Sequence, residues 1–595
     1  MIATVLLLAQ SATAQPAVST RAAIERALPV LERSAKNFVA DRSCVSCHHN
    51  ILPILTLRLA ASRGFNIDTS ILAAIERKTF RELTSAKAFD DAVQLQDVGD
   101  PALNASWLLT AARDAGFAPN LTSAVMARRI ATWQHDGHWT TSDFRPPHSS
   151  SLFTATAIAV RAIRAYLPNE LRTVGDEVIG NARRWLTATR PASTEDATFR
   201  LLALVWATAP AADVTAAVND LRRLQRVGGG WAQLPSYLPD AYSTGEALYA
   251  LREAGAAGDL AWRRGVLFLR STQRSDGTWH VRTRMLSPAE VSPPYFTTGF
   301  PYEQDEYISY AASCWATMAL LADLPAAPNA RMPPVLVADT TPDDGRGALR
   351  LALFGAASDI STDVDVNWTT ANGTSLLMAA APDAQNIAEL LRRGARATFR
   401  STSGYDALTV AATYRGSAAA LRVLLDAGAS AEPPDDVKVR HTPIMFAAVS
   451  GDDGNVTLLL SRGAHANPRP NAAGDSPISE AITYGHAAVV RALIQAGAKT
   501  DLVERTGVNL LHWAAITNRA EVVSDLVKAG VDINAIDAHG FTPLMYAATI
   551  DFGDTATLRA LLLSGADRRI KNESGRTPLQ QARRLGYAQL AKALQ

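Results

Sequence analysis

Cysteine is scarce: 3 residues in a chain of 595. That excludes a disulfide-stapled scaffold and leaves each thiol to be explained singly. Charge of one sign is also lacking, because 58 Lys and Arg stand against 57 Asp and Glu for a net charge of +1. Neither a nucleic-acid groove nor a polybasic membrane surface follows from that balance, so no nucleic-acid partner is expected. Nowhere is there an apolar run long enough to span a bilayer. The first three hundred residues show no convincing alternation of period two, so no sheet is expected there. What remains is Ala-rich, Leu-rich and Arg-rich sequence that favours helix, in a chain long enough for two to four domains.

The apolar stretch from Ile2 to Ala9 is too short to cross a membrane. It leads to Ala12-Thr13-Ala14, a small-x-small pattern, and to a polar break at Gln15-Pro16. Residues 1–14 therefore read as a secretory signal peptide, although no Lys or Arg precedes Arg21. The mature chain is expected to be exported, to a periplasm, with no integral membrane segment.

Cys44-Val45-Ser46-Cys47-His48 is a C-x-x-C-H motif, the attachment site of a c-type haem. Two thiols at that spacing add across two vinyl groups of one porphyrin, and the adjoining imidazole becomes an axial ligand of the iron. The expected cofactor is thus one covalent haem c, bound by Cys44, Cys47 and His48, with His48 the metal ligand. Three other readings fit the residues: a Cys44–Cys47 disulfide, a zinc site using Cys44, Cys47, His48 and His49, or an inert thiol pair. For the sixth iron ligand the candidates are Met126, His135, His138 and His148. The third cysteine, Cys314, lies in an apolar helical stretch and reads as a buried small residue.

Between about residues 20 and 323 amphipathic helices follow one another, among them 51–63, 102–115, 152–165, 199–207, 244–254 and 308–322. A turn recurs between them. Its copies are Trp133-Gln134-His135-Asp136-Gly137-His138-Trp139, Leu224 to Trp231 with Gly228, Gly229 and Gly230, and Gln273 to Trp279 with Gly277. Glycine supplies a left-handed turn and tryptophan plugs the gap between neighbouring units. The C-x-x-C-H motif falls where another such turn belongs. These copies resemble the Gln–Trp motifs of the squalene cyclase and protein prenyltransferase superfamily. The resemblance implies an α/α toroid, a closed ring of paired helices with an inner cavity. It does not carry the cyclase acid motif across: the nearest analogue, Glu195-Asp196, reads as a pair of helix N-terminal charges. For a prenyltransferase-type zinc site only Cys314, His280 and Asp305 are at hand.

Residues 324–345 form a linker, with four prolines between Leu324 and Pro334. Beyond it Gly-Ala recurs at Gly394, Gly428, Gly463, Gly497 and Gly565, with Gly530-Val531 in phase, at intervals of 33–35 residues. Gly540-Phe541-Thr542-Pro543-Leu544 and Leu510-Leu511-His512-Trp513-Ala514-Ala515 complete the pattern. Residues 346–595 resemble ankyrin repeats, about six with a C-terminal cap, which implies a solenoid that docks a protein partner. His441, His465, His486, His512 and His539 read as structural hydrogen-bonding groups.

The fold expected is all-α, an α/α toroid followed by an ankyrin solenoid. The function expected is an exported haem c protein for electron transfer or redox sensing. Two alternatives stand beside it: a terpenoid-cyclase-like enzyme using the toroid cavity, and a scaffold with a Cys44–Cys47 disulfide and no enzymatic role.

Overall fold

The computed structural model describes residues 19–43, 45–96, 100–285, 298–327, 334–335, 345–434, 437, 439–469 and 474–595. The leader read over residues 1–14, Cys44, the side chain of Cys47 and most of the 324–345 linker lie outside the described residues. Among the described residues all regular structure is helical, with isolated bridges such as His135 to His138 and no strand.

The N-terminal half holds α1 (Thr20–Asp41), α2 (Leu52–Ser62), α3 (Thr69–Thr79), α4 (Arg81–Thr84), α5 (Ala88–Gln94), α6 (Ser106–Asp114) and α7 (Leu121–Thr132). It continues with α8 (Leu152–Tyr166), α9 (Arg172–Ala188), α10 (Thr194–Trp206), α11 (Ala211–Arg223), α12 (Ala241–Glu253), α13 (Leu260–Thr272) and α14 (Glu306–Ala322). Helices α2, α6, α8, α10, α12 and α14 pack each on the next, and α14 returns to α2 and α1. They form an inner ring, sheathed by the amphipathic outer helices.

The recurring turn explains the closure. Trp139, Trp231 and Trp279 are buried, and each indole donates to a carbonyl in the last turn of the preceding outer helix: Ile130 at 2.6 Å, Leu221 at 2.8 Å and Leu269 at 2.9 Å. Each glutamine reaches across to the next outer helix. Gln134 donates to the Val178 carbonyl, Gln225 to that of Ala261, and Gln273 to that of Ala23 in α1. The last of these joins the end of the ring to its beginning. Gly277 shows why glycine is required: its φ is +88°, and a Cβ there would stand 2.3 Å from the Arg26 carbonyl oxygen. Thr298 adds a second clasp on α1, accepting from Asn37 at 2.6 Å and bonding Ser34 at 2.7 Å.

The middle of the ring is filled where the toroid resemblance implies a cavity. Phe199 of α10 meets Trp107 of α6 at 6.2 Å and Trp315 of α14 at 6.4 Å, and Trp315 meets Tyr249 of α12 at 5.3 Å. Aromatic rings from four inner helices touch there, so large side chains occupy the axis.

The C-terminal half begins with α15 (Arg346–Phe354). Helix pairs follow: α16 (Leu376–Ala380) and α17 (Ala384–Arg392), α18 (Ala407–Ala412) and α19 (Ala418–Asp426), α20 (Pro443–Ser450) and α21 (Asp453–Ser461). Next come α22 (Pro477–Tyr484) and α23 (Ala487–Gln495), α24 (Leu510–Ile516) and α25 (Ala520–Lys528), α26 (Pro543–Thr549) and α27 (Ala556–Leu563), α28 (Pro578–Arg584) and α29 (Ala588–Ala593). Proline at the first helical position and a Ser, Thr, Asn or Asp cap start most of the first helices.

This arm lies along the ring. Every residue of α16, α18, α20 and α26 is buried, although one face of each would be open in an isolated solenoid. Asp90 of α5 accepts from Thr370 and, at 2.8 Å, from Asn372. Gln94 donates to Thr374 and accepts from Ser401. Arg129 donates to Tyr414 at 3.3 Å and lies 4.8 Å from its ring centre, Arg440 reaches the Gln96 carbonyl, and Tyr237 donates to Asp551 at 2.9 Å. The covered face of the arm is the one that ankyrin repeats ordinarily offer to another protein. No helix among the described residues is long and apolar enough to cross a membrane.

Candidate functional site

The C-x-x-C-H stretch lies between α1 and α2, at the same outer-to-inner junction that carries the Gln–Gly–Trp turn elsewhere in the ring. Residues Cys47–Ile51 form a single π-helical turn that runs directly into α2. Asn50 stabilises it, accepting from the Ser46 backbone at 2.9 Å and donating to Thr79 at 3.3 Å.

A cavity of about 770 Å³ opens against this turn. Val39, Val45, Ile51, Trp107, Leu108 and Met126 supply apolar wall, and Arg42, Arg77, Lys78 and Arg81 supply positive charge. Its volume is within the range of sites for large organic ligands. Apolar walls with a cationic side suit an amphipathic, dianionic macrocycle such as haem. Glu82 and Asp91 line it as well, so the volume and the apolar wall, rather than charge of one sign, suit the group that the motif implies. The His48 ring is not part of this lining. It is buried, 4.8 Å from the His49 ring, 5.9 Å from Tyr307 and 6.1 Å from His148. Burial above all, then the neighbouring His49, His148 and Arg145, holds its pKa well below the usual histidine value. The imidazole is neutral at physiological pH, the form a metal requires.

His49 is stacked between Phe38, at 4.8 Å, and Tyr310, at 4.2 Å, and is a packing residue. Of the sixth-ligand candidates, Met126 lines the cavity. His148 stands beside His48 and bonds Tyr242 through Nδ1 at 3.1 Å. His135 and His138 border a different cavity, about 480 Å³, between ring and arm. Cys314 is fully buried, with its thiol pushed up by burial, whereas His280 and Asp305 pair with each other at 2.9 Å. Cys314, His280 and Asp305 do not form a zinc site.

The expectation for Glu195 and Asp196 needs correcting by half. Asp196 is a capping residue, in a reciprocal box with Ser193. Glu195 points inward instead. Its carboxylate accepts from Thr154 at 2.6 Å and from Tyr242 at 2.9 Å. Burial pushes it up to about 7, and burial together with Glu195 raises its neighbour Glu246 well above the usual range. Glu246 was not singled out in the sequence. Its signal was an acid in the middle of an otherwise apolar inner helix, between Gly245 and Ala247.

Helix α5 links the two halves. Ala88, Asp91 and Ala92 face the 770 Å³ cavity, and Asp90 and Gln94 bond the arm.

Comparisons with known proteins bear on the arm. Residues 376–470 and 480–567 match the family model described as ankyrin repeats (3 copies). Mouse B-cell lymphoma 3 protein homolog is 30% identical over 31% of this chain and 42% of its own length. The Arabidopsis thaliana potassium channel AKT2/3 is 34% identical over 27% of this chain and 19% of its own. The zebrafish putative palmitoyltransferase ZDHHC13 is 28% identical over 25% and 23%. The chain thus spans less than half the length of these relatives. The solved human ASB11 ankyrin repeat domain is 26% identical, covers 38% of this chain and 99% of its own, and superposes with a TM-score of 0.33. The C-terminal half is an ankyrin-repeat module, the kind of domain that binds proteins.

Proposed function

We propose that this chain is an exported c-type haem protein whose ring holds the haem and whose ankyrin arm conveys the state of that site to a protein. The observation that carries the reading is a C-x-x-C-H stretch set against a cavity with apolar walls, four basic residues and two acids at its side. In this reading Cys44 and Cys47 form the thioethers and His48 is the axial ligand. When bound, the group supplies one-electron redox chemistry. Arg42, Arg77, Lys78 and Arg81 hold the propionates by charge, and Trp107, Leu108 and Met126 exclude water. The position of α5, shared by cavity and arm, favours redox sensing over simple electron transfer. Covalent haem attachment requires an exported chain, so the leader at residues 1–14 belongs to the same proposal.

The test is expression in a strain that matures c-type haem, followed by denaturing electrophoresis with haem staining. Staining should persist in the wild type, weaken in Cys47→Ala and disappear when Cys44 and Cys47 are both replaced by alanine. Colourless protein whose mass shows only the loss of two hydrogens would establish a Cys44–Cys47 disulfide and overturn the reading.

A further inference from the structure

His441, Asp475 and Glu480 converge between the third and fourth full repeats of the arm. One ligand atom from each lies within 4.8 Å of the others, and His441 Nε2 is 3.7 Å from Glu480 Oε1. That last spacing is near the ~3.3 Å edge of a tetrahedron with bonds of about 2.0–2.1 Å. We propose that these three residues bind one divalent first-row transition ion.

The repeats themselves supply an independent argument, because equivalent positions can be compared. The residue ahead of the cap of each first helix is Thr374, Tyr405, His441, Asp475, Val508, Phe541 and Arg576 in turn. Histidine and aspartate occupy it only in the two adjacent repeats where they meet. Four residues after the cap stand Ala379, Val410, Phe446, Glu480, Trp513, Tyr546 and Gln581. Most of these pack or stack, and Glu480 alone is an acid. Repeat architecture therefore places ligand-type side chains at three positions that do not need them for stacking.

The groups are also partly withdrawn from water and held in place. The side chains of His441 and Glu480 are 13% and 17% exposed. The His441 backbone N–H donates to the Tyr405 hydroxyl at 3.2 Å, and its ring packs 5.1 Å from Phe446. Its Nδ1 is buried and has no hydrogen-bond partner among the described residues. Two carboxylates this close repel each other, and a divalent cation between them reverses that term. One imidazole and two carboxylates suit Zn²⁺, Mn²⁺ or Fe²⁺, and three protein ligands leave a fourth position for water. Neighbouring Arg440 holds the Gln96 carbonyl of the ring, so the ion would tie two hairpins together where the arm grips its partner half.

The test uses full-length protein stripped with a chelator. Zn²⁺ is titrated by calorimetry and Co²⁺ by visible absorption. One Zn²⁺ per chain should bind, and His441→Ala and Glu480→Gln should each weaken it by at least about 10-fold. The Co²⁺ complex of the wild type should show d–d bands with no thiolate-to-metal charge transfer, a readout that depends on no variant. Binding weaker than about millimolar, wild-type affinity in both variants, or a thiolate band placing the ion on cysteine would each overturn the proposal.

Discussion

The indole nitrogen of Trp133 donates to the carbonyl oxygen of Thr413, 2.8 Å away, across the seam between ring and arm. Trp133 stands just ahead of the first Gln–Gly–Trp turn, where the other copies have Leu224 and Thr272. It serves the interface, while Trp139 does the plugging within the ring. Trp133→Phe keeps most of the volume and strands the buried Thr413 carbonyl, so it should cost about 1–3 kcal/mol. Calorimetry should show the single unfolding endotherm broadening toward two, because the loss falls on the seam.

Asp90 takes two hydrogen bonds from the arm while buried at 4% exposure. Asp90→Ala leaves Thr370 and Asn372 without their acceptor and should destabilise the docked state by about 2–3 kcal/mol. Limited proteolysis within residues 324–345 should quicken in this variant. An unchanged cleavage rate would mean that the contact contributes nothing to docking.

Glu195 has the pH signature of a buried acid. Its folded value of about 7 exceeds the ordinary 4.5, so the folded chain keeps a proton that the unfolded chain releases between those values. Stability contributed at this site is present below about pH 4.5 and is lost as pH rises toward 7. Glu195→Gln should flatten that decline, by up to about 1.4 kcal/mol per pH unit for one proton. Urea unfolding at several pH values measures it, and parallel curves for the two proteins would refute it.

Gly451 closes α20 at φ +74°, and a Cβ there would stand 2.4 Å from the His486 ring. His486 is half-buried, donates from Nε2 to the Val449 carbonyl at 3.1 Å, and is pushed down to about 3, chiefly by desolvation. Gly451→Ala combines left-handed strain with a collision and should cost about 2 kcal/mol or more. The wild-type histidine remains neutral while the unfolded one protonates below about 6.5, so its share of stability fades as pH falls from there toward 3.

Met126→Leu is nearly volume-conserving and should leave stability within about 1.5 kcal/mol. If Met126 ligates the iron of the proposed haem, covalent staining will persist and the midpoint potential will fall, since a thioether ligand raises it. Redox titration followed by absorption gives the answer.

The helical ring was legible because glycine and tryptophan recur at junctions where backbone geometry leaves little choice, as at Gly277 and Trp279. The ankyrin phase was legible from its glycines for the same reason. The docking of one half on the other was not. Its contacts use Asp90, Gln94, Arg129 and Tyr414, residues with no period and no motif, whose partners lie some three hundred positions away. Glu195 was misread because an acid at the start of a helix is usually a cap, and only its rotation toward Thr154 and Tyr242 separates it from Asp196. The aromatic filling of the ring was hidden too, since periodicity marks which face of a helix is apolar and says nothing of what meets it across the axis.

The arm's inner face is covered by the ring, so any protein seeking that face competes with a tethered ligand. A segment held on a short connector acts at a local concentration on the order of millimolar. A partner present at micromolar levels must therefore bind the open arm about a thousand times more tightly than the ring does to displace it by half. Partners that meet this arm without first opening it are those that dock on its outer helices.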